Sequence, residues 1–226
     1  NRKNKTGRNS PPVQRSGNLL GSRCLCKRKA KSRQASHACV KNRRQVKIMT
    51  DRKVEDLKIL FSQQQIEKRT RELADEINKT FGTKEDLTII CVLKGSSMFF
   101  CDLSKYLKMP VKMEFIRVSS YGNEKTSSGH VQAMDLTLPN LEGKNALIVE
   151  DNIDKGCTMK FLLEMLCRTH KPKNLKVVTL LNKKAARKTD IEPDFYGFEI
   201  DDKFVVGYGL DYEGYMRTLP YVGYFD

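Results

Sequence analysis

Apolar positions along the chain follow two periods. Leu87–Leu93 and Asn145–Glu150 are near-continuous apolar runs, the mark of strands buried on both faces, and Lys176–Leu181 reads as a further strand. Between the runs the period lengthens to that of helices. Ile66, Thr70, Leu73 and Ile77 recur on one helical face, opened by the capping box Ser62-x-x-Gln65 and closed near Gly82. Phe99, Leu103, Tyr106 and Leu107 predict a helix after the first run, and Met159, Leu162, Leu163 and Leu166 one after the second. Val111–Val118 alternates as a strand should, with Met113 and Phe115 on one face and Arg117 in the same phase. Lys203–Gly209 reads as a last strand, and the polar, Gly/Ser-rich stretch Tyr121–His130 as a mobile loop. Strands alternating with helices at this spacing predict a parallel sheet in an α/β domain.

Charge divides the chain in two. The formal net charge of +15 suggests a nucleic-acid binder until its location is considered. Residues 1–48 hold 15 of the 42 Lys and Arg and none of the 27 Asp and Glu, leaving 27 basic against 27 acidic residues in 49–226. The excess charge therefore says nothing about the surface of the globular part, and nucleic acid is not expected as the main partner. The segment 1–48 has no aromatic residue and few aliphatic ones, so it cannot offset its chain entropy and is expected to be disordered. Its Cys24-x-Cys26 and His37-x-Cys39 spacings miss the usual gap of zinc ligands. Its Arg-rich, acid-free composition also suits a transit peptide. Since the first methionine is Met49, where the composition turns globular, an upstream extension without an evolved role is the favoured expectation. The domain layout is thus a basic extension over 1–48 and one globular domain over 49–226.

No run of about 18 apolar residues occurs, which argues against a transmembrane helix, and the start lacks the apolar core of a secretory signal. Seven cysteines, odd in number and without framework spacing, predict reduced thiols in a cytoplasmic setting. Cys91, Cys101, Cys157 and Cys167 sit among apolar residues, as packing thiols do.

Candidate chemistry concentrates in Leu147-Ile-Val-Glu150-Asp151-Asn152-Ile153-Asp154-Lys155-Gly156-Cys157-Thr158. A buried strand ends in two carboxylates, and a short Gly-containing loop then opens a helix at Thr158. Ligands of open α/β sheets sit beyond the carboxyl ends of the strands. The N–H groups of a helix N-terminus suit a phosphate, and adjacent carboxylates accept hydrogen bonds from a ribose diol. One loop can therefore hold a sugar phosphate at both ends. The same pattern also occurs as an ordinary strand end.

This stretch resembles the phosphoribosyl-pyrophosphate (PRPP) loop of the type I phosphoribosyltransferases. From about Leu60 to Leu219 the chain resembles the hypoxanthine-guanine phosphoribosyltransferases, through several separated motifs. The resemblance implies a type I phosphoribosyltransferase fold: a parallel-sheet core flanked by helices, with a small hood. It implies transfer of the 5-phosphoribosyl group from PRPP to a 6-oxopurine, giving a purine nucleotide and pyrophosphate. Glu150 and Asp151 would hold the ribose, Asp154 would face purine N7 as the catalytic residue, and Lys155, Gly156, Cys157 and Thr158 would cradle the 5′-phosphate. Lys94 and Gly95, with a cis peptide before the lysine, match the pyrophosphate loop, and Arg217 matches a further pyrophosphate contact. Ser120 and Tyr121 match the flexible loop that closes over the reaction. Lys183 matches the lysine that reads the 6-oxo group, and Phe204 and Val205 the pair that stacks on the base and reads its edge. Magnesium is the implied cofactor, with Glu150, Asp151 and Asp211 as its carboxylates, and a homodimer or homotetramer the implied assembly.

Each residue has an ordinary reading too: Lys183 as a solvated strand-end charge, Phe204 as core, Arg217 as surface, Tyr121 as local packing. Two positions depart from the family pattern. Asn152 stands where an aliphatic residue is usual, and Lys155 where a small hydroxyl residue precedes the glycine. They motivate an alternative, a weak or inactive member that binds nucleotide as a regulator.

Overall fold

The apolar runs come together as the centre of one sheet. The computed structural model describes residues 54–120, 131–135 and 138–225; the 1–48 segment and the loop expected over 121–130, with Tyr121, lie outside them. In chain order the strands and helices are β1 (Lys58–Phe61), α1 (Gln63–Phe81), β2 (Leu87–Leu93), α2 (Ser97–Ser104), β3 (Val111–Ser120), β4 (Val131–Asp135), β5 (Asn145–Ile153), α3 (Cys157–His170), β6 (Asn174–Asn182), β7 (Phe195–Glu199), β8 (Val205–Val206) and β9 (Val222–Tyr224). The main sheet runs β4-β3-β2-β5-β6-β7, parallel except for β4 at its edge.

Period two explains why β2 and the first part of β5 are apolar at nearly every position. Leu87, Ile89, Cys91, Leu147 and Val149 pack on the face covered by α1 and α2, while Ile90, Val92, Ala146 and Ile148 pack on the face covered by α3. Helix α1 presents Ile66, Leu73, Ala74 and Ile77 to the first face, and α3 presents Met159, Leu162 and Leu166 to the second. The capping box forms as expected: Ser62 Oγ accepts from the Gln65 amide and Gln65 Oε1 from the Ser62 amide, and Gly82 at φ +72 ends the helix.

Strand order reverses between β2 and β5. The chain leaves β2 for β3 on one side and β5 for β6 on the other, so the connections diverge and leave a crevice at the carboxyl ends of the two strands. A second, antiparallel sheet of order β1-β9-β8 carries the C-terminal segment, with Phe61 stacked on Phe198 at 4.0 Å between ring centres.

Three expectations are corrected. The strand foreseen over Lys203–Gly209 is only Val205–Val206, and it lies in the small sheet because Gly207 and Gly209, at φ +94 and +101, turn the chain away. The helix of Phe99 and Leu103 stops at Ser104, before Tyr106 and Leu107. Of the four cysteines expected to pack inside, Cys91 is buried, but Cys101, Cys157 and Cys167 lie on exposed helical faces.

Candidate active site

The crevice at the strand reversal is closed by contacts that only glycine permits. After β2 the Leu93–Lys94 peptide is cis, and Gly95 lies so close to β5 that a Cβ there would overlap the Asp151 carboxylate. A Cβ on Gly209 would in turn overlap the Gly95 carbonyl oxygen. Three segments distant in sequence thus meet at Gly95: the end of β2, the end of β5 and the loop after β8. Lys94 is exposed and, among the described residues, unpaired, whereas Arg217 is engaged. Its Nη2 lies 2.6 Å from Asp211 Oδ1, and its Nη1 donates to the Gly209 carbonyl at 2.6 Å.

At the end of β5 the carboxylates stand side by side. The Asp151 amide donates to Glu150 Oε1 at 3.2 Å, and the Asn152 amide to Asp151 Oδ1 at 2.9 Å. Burial, and then the neighbouring Asp151 charge, push the Glu150 carboxyl well above its ordinary pKa. No lysine or arginine among the described residues pairs with either carboxylate. Two residues on, Asn152 Oδ1 and Asp154 Oδ1 are buried without a hydrogen-bond partner in the protein. A buried acceptor left unpaired costs about 1–3 kcal/mol, so this loop gains stability from a ligand that brings donors.

Gly156, left-handed at φ +81, is the N-cap of α3 and supplies no side-chain cap for the first N–H groups of the helix, at Cys157 and Thr158. Lys155 is exposed at this turn. A Cβ on Gly156 would strike Thr189 Oγ1 and Arg187 Cδ, so the segment after β6 forms the outer wall of the turn. The Lys188 amide donates to the Lys155 carbonyl at 3.0 Å.

Lys183 follows β6 and is buried, 6% exposed, contrary to the solvated reading of a strand-end lysine. Its amide donates to the Ile153 carbonyl at 3.0 Å, and its Nζ lies 3.8 Å from Asp202 Oδ1. Phe204 is 55% exposed, its ring edge-on to Tyr212 at 5.9 Å, while Val205 is buried.

The structure therefore brings Lys94–Gly95, Glu150–Thr158, Lys183 and Arg217–Asp211 to one end of the sheet, with Phe204 and Val205 arriving from the small sheet. Ser120 ends β3, and its side chain, like Tyr121, lies outside the described detail. Glu150, Asp151 and Asp211 do not form a single cluster: no group of three or more metal-binding side chains occurs among the described residues. Two adjacent carboxylates without a cationic partner still suit magnesium, which keeps several waters and completes its shell with phosphate oxygens. Sequence reasoning missed Arg187 and Gly209. Arg187 donates from Nε to the Asp154 carbonyl (3.0 Å), from Nη2 to the Ile153 carbonyl (3.3 Å) and Asn182 Oδ1 (2.5 Å), and from Nη1 to the Ile191 carbonyl. Its neighbours Lys184 and Lys188 carry the same charge, so nothing local in the sequence singled it out.

A doubly covered parallel sheet, with a phosphate-shaped turn and paired carboxylates at its strand reversal, defines a class of protein that holds phosphorylated sugars. Known proteins narrow the class. The phosphoribosyl transferase domain model matches residues 56–213. The chain is 45% identical over 166 residues to the hypoxanthine-guanine phosphoribosyltransferase of Bacillus subtilis, spanning 74% of this chain and 91% of that one, and 42% identical to that of Aquifex aeolicus, spanning 74% and 93%. A crystal structure of a hypoxanthine-guanine phosphoribosyltransferase from Bacillus anthracis superposes with a TM-score of 0.71 at 40% identity, covering 75% of this chain and 98% of that one. The chain belongs to the phosphoribosyl transferase family and, within it, to the hypoxanthine-guanine phosphoribosyltransferases, transferases of purine salvage.

Proposed function

We propose that the globular domain, residues 49–226, transfers the 5-phosphoribosyl group of PRPP to N9 of hypoxanthine or guanine. The C1′–oxygen bond to pyrophosphate breaks, the C1′–N9 bond forms, and the proton on N7 of the base passes to Asp154. The observation that carries this reading is Asp154 Oδ1, a buried acceptor without a partner between the paired carboxylates and the phosphate turn, in a loop tied directly to buried Lys183. An acceptor facing N7–H and a donor facing O6 select a 6-oxopurine over adenine, whose 6-amino group would leave Lys183 opposed by another donor.

Glu150 and Asp151 hold the ribose hydroxyls and turn C1′ toward the base. The Lys155–Thr158 turn receives the 5′-phosphate on the backbone amides of Cys157 and Thr158, and Lys155 substitutes charge for the missing hydroxyl. Phe204 stacks on the base while the Val205 backbone reads its edge. Lys94 and Gly95 receive the leaving pyrophosphate, and Arg217 turns from Asp211 to assist. Closure of the Ser120–Tyr121 segment excludes water. Glu150 and Asp151 would hold magnesium, which would supply charge neutralisation to the phosphates, and Asp211 would join them only once its ion pair with Arg217 opens.

A cytoplasmic location and a homo-oligomer belong to the same reading. The free cysteines suit a reducing compartment, and exposed Met113 and Phe115 on β3 offer an apolar surface that a second copy would cover. The test is turnover by the full chain with PRPP, magnesium and each of hypoxanthine and guanine. Nucleotide should form with both, and Asp154→Asn should lower kcat by about 10²–10⁴-fold. Binding of nucleotide without turnover would sink the transferase reading in favour of a regulator.

A further inference from the structure

Among the described residues, Arg187 spends its guanidinium on no carboxylate. Its hydrogen bonds go to the main-chain carbonyls of Ile153, Asp154 and Ile191 and to the side-chain oxygen of Asn182. Three of those acceptors lie at two different strand ends, and the fourth, Ile191, lies in the segment between β6 and β7. Ile153 closes β5 with Asp154 directly after it, and Asn182 closes β6, one residue before Lys183. The two ends are already linked once, through the Lys183 amide and the Ile153 carbonyl. The Ile153 carbonyl therefore accepts from both Lys183 and Arg187, and the carbonyl of Asp154, the next residue, is held by the same guanidinium. A planar group with five fixed donors can bridge acceptors on separate segments in this way, and an ammonium cannot.

We infer that Arg187 is a positioning residue, the clamp that sets the separation of Asp154 from Lys183 and so fixes the slot in which the purine base sits. This inference rests on the transferase reading above. Asp154 and Lys183 are the two groups that reading assigns to N7 and O6, and Arg187 holds the Asp154 carbonyl on one side and the side chain of Asn182, next to Lys183, on the other. Its aliphatic stem does something separable: Arg187 Cδ lines the outside of the Gly156 turn, where the 5′-phosphate is received. A methionine at 187 keeps the stem and removes the fork.

The two roles make the inference testable by asking which substrate is affected. In the full chain, Arg187→Met should raise KM for hypoxanthine by about tenfold or more while leaving KM for PRPP within about twofold, with kcat reduced, because a slot shifted by a fraction of an ångström misplaces the base and not the phosphate. Arg187→Lys should recover little of the loss, since one nitrogen cannot serve two strand ends. Hydrogen exchange should quicken at the Lys183 amide in Arg187→Met while the amides of α1 keep their protection. The clamp is overturned if both KM values rise together in step with a fall in melting temperature, or if Arg187→Lys restores the wild-type values. Should the unmodified protein show no transfer at all, the transferase reading fails. The exchange measurement then decides the clamp alone, an unchanged Lys183 amide rejecting it and a quickened one supporting it.

Discussion

Glu150 concentrates the site's energetics in one carboxyl. It is buried beside Asp151 without a cation among the described residues, and burial is the larger cause of its raised pKa. A carboxyl whose pKa is higher in the folded than in the unfolded chain binds its proton more tightly when folded. Its contribution to stability is present below the unfolded value, 4.5 for an unperturbed glutamate, and is lost as pH rises through the raised folded value. Glu150→Gln removes that loss. In metal-free protein the variant should melt above the parent at pH 8, and the gap should close as pH falls through 4.5; a gap that persists or widens in acid would contradict this assignment. The same substitution should weaken ribose binding, an example of a site group held against stability. Asn152 is a second such group, for its unpaired Oδ1 sits where an aliphatic side chain would need no partner.

At the scale of elements, close approach between three connections holds the crevice together. Gly209 is the keystone, because its left-handed backbone and its contact with the Gly95 carbonyl both exclude a side chain. Gly209→Ala should cost about 1–3 kcal/mol through backbone strain and the overlap with Gly95. It should also raise KM for PRPP more than for the base, since Gly95 and Lys94 move with it. Differential scanning calorimetry and initial rates would show both effects, and unchanged stability would mean that the loops are not in contact. The strands that make these loops were legible to very different degrees. β2, β5 and β6 are written in apolar runs because their central positions are buried on both faces of the sheet. β1, β8 and β9 are two to four residues long, too short for a period to show, and they exist because they pair with one another.

For the molecule as a whole, one face of the sheet faces α1 and α2 and the other α3, and thiol reactivity should follow that layering. Cys91 lies in the first layer, its thiol pushed up to about 11 by burial, whereas Cys101, Cys157 and Cys167 are exposed. Native alkylation followed by peptide mapping should label those three and leave Cys91 unmodified until the chain unfolds. Labelling of Cys91 in the native protein would show that the layer opens. Protection of Cys157 by nucleotide would further place the phosphate at the start of α3.

Local rules determined the strands β2, β5 and β6, the helix α1 with its capping box, and the loop of paired carboxylates, because each depends on residues within a few positions of one another. The family resemblance, carried by that loop and by Lys94, Lys183, Asp211 and Arg217 in order, pointed to the chemistry. Tertiary structure decided what depends on distant partners. It buried Lys183 while exposing Phe204, put Gly209 on Gly95 and Gly95 on Asp151, left Asn152 and Asp154 with unpaired oxygens, and drew Arg187 across two strand ends. None of these has a local signature, since burial and hydrogen-bond partners are properties of packed surfaces and are set only when strands far apart in the chain lie side by side.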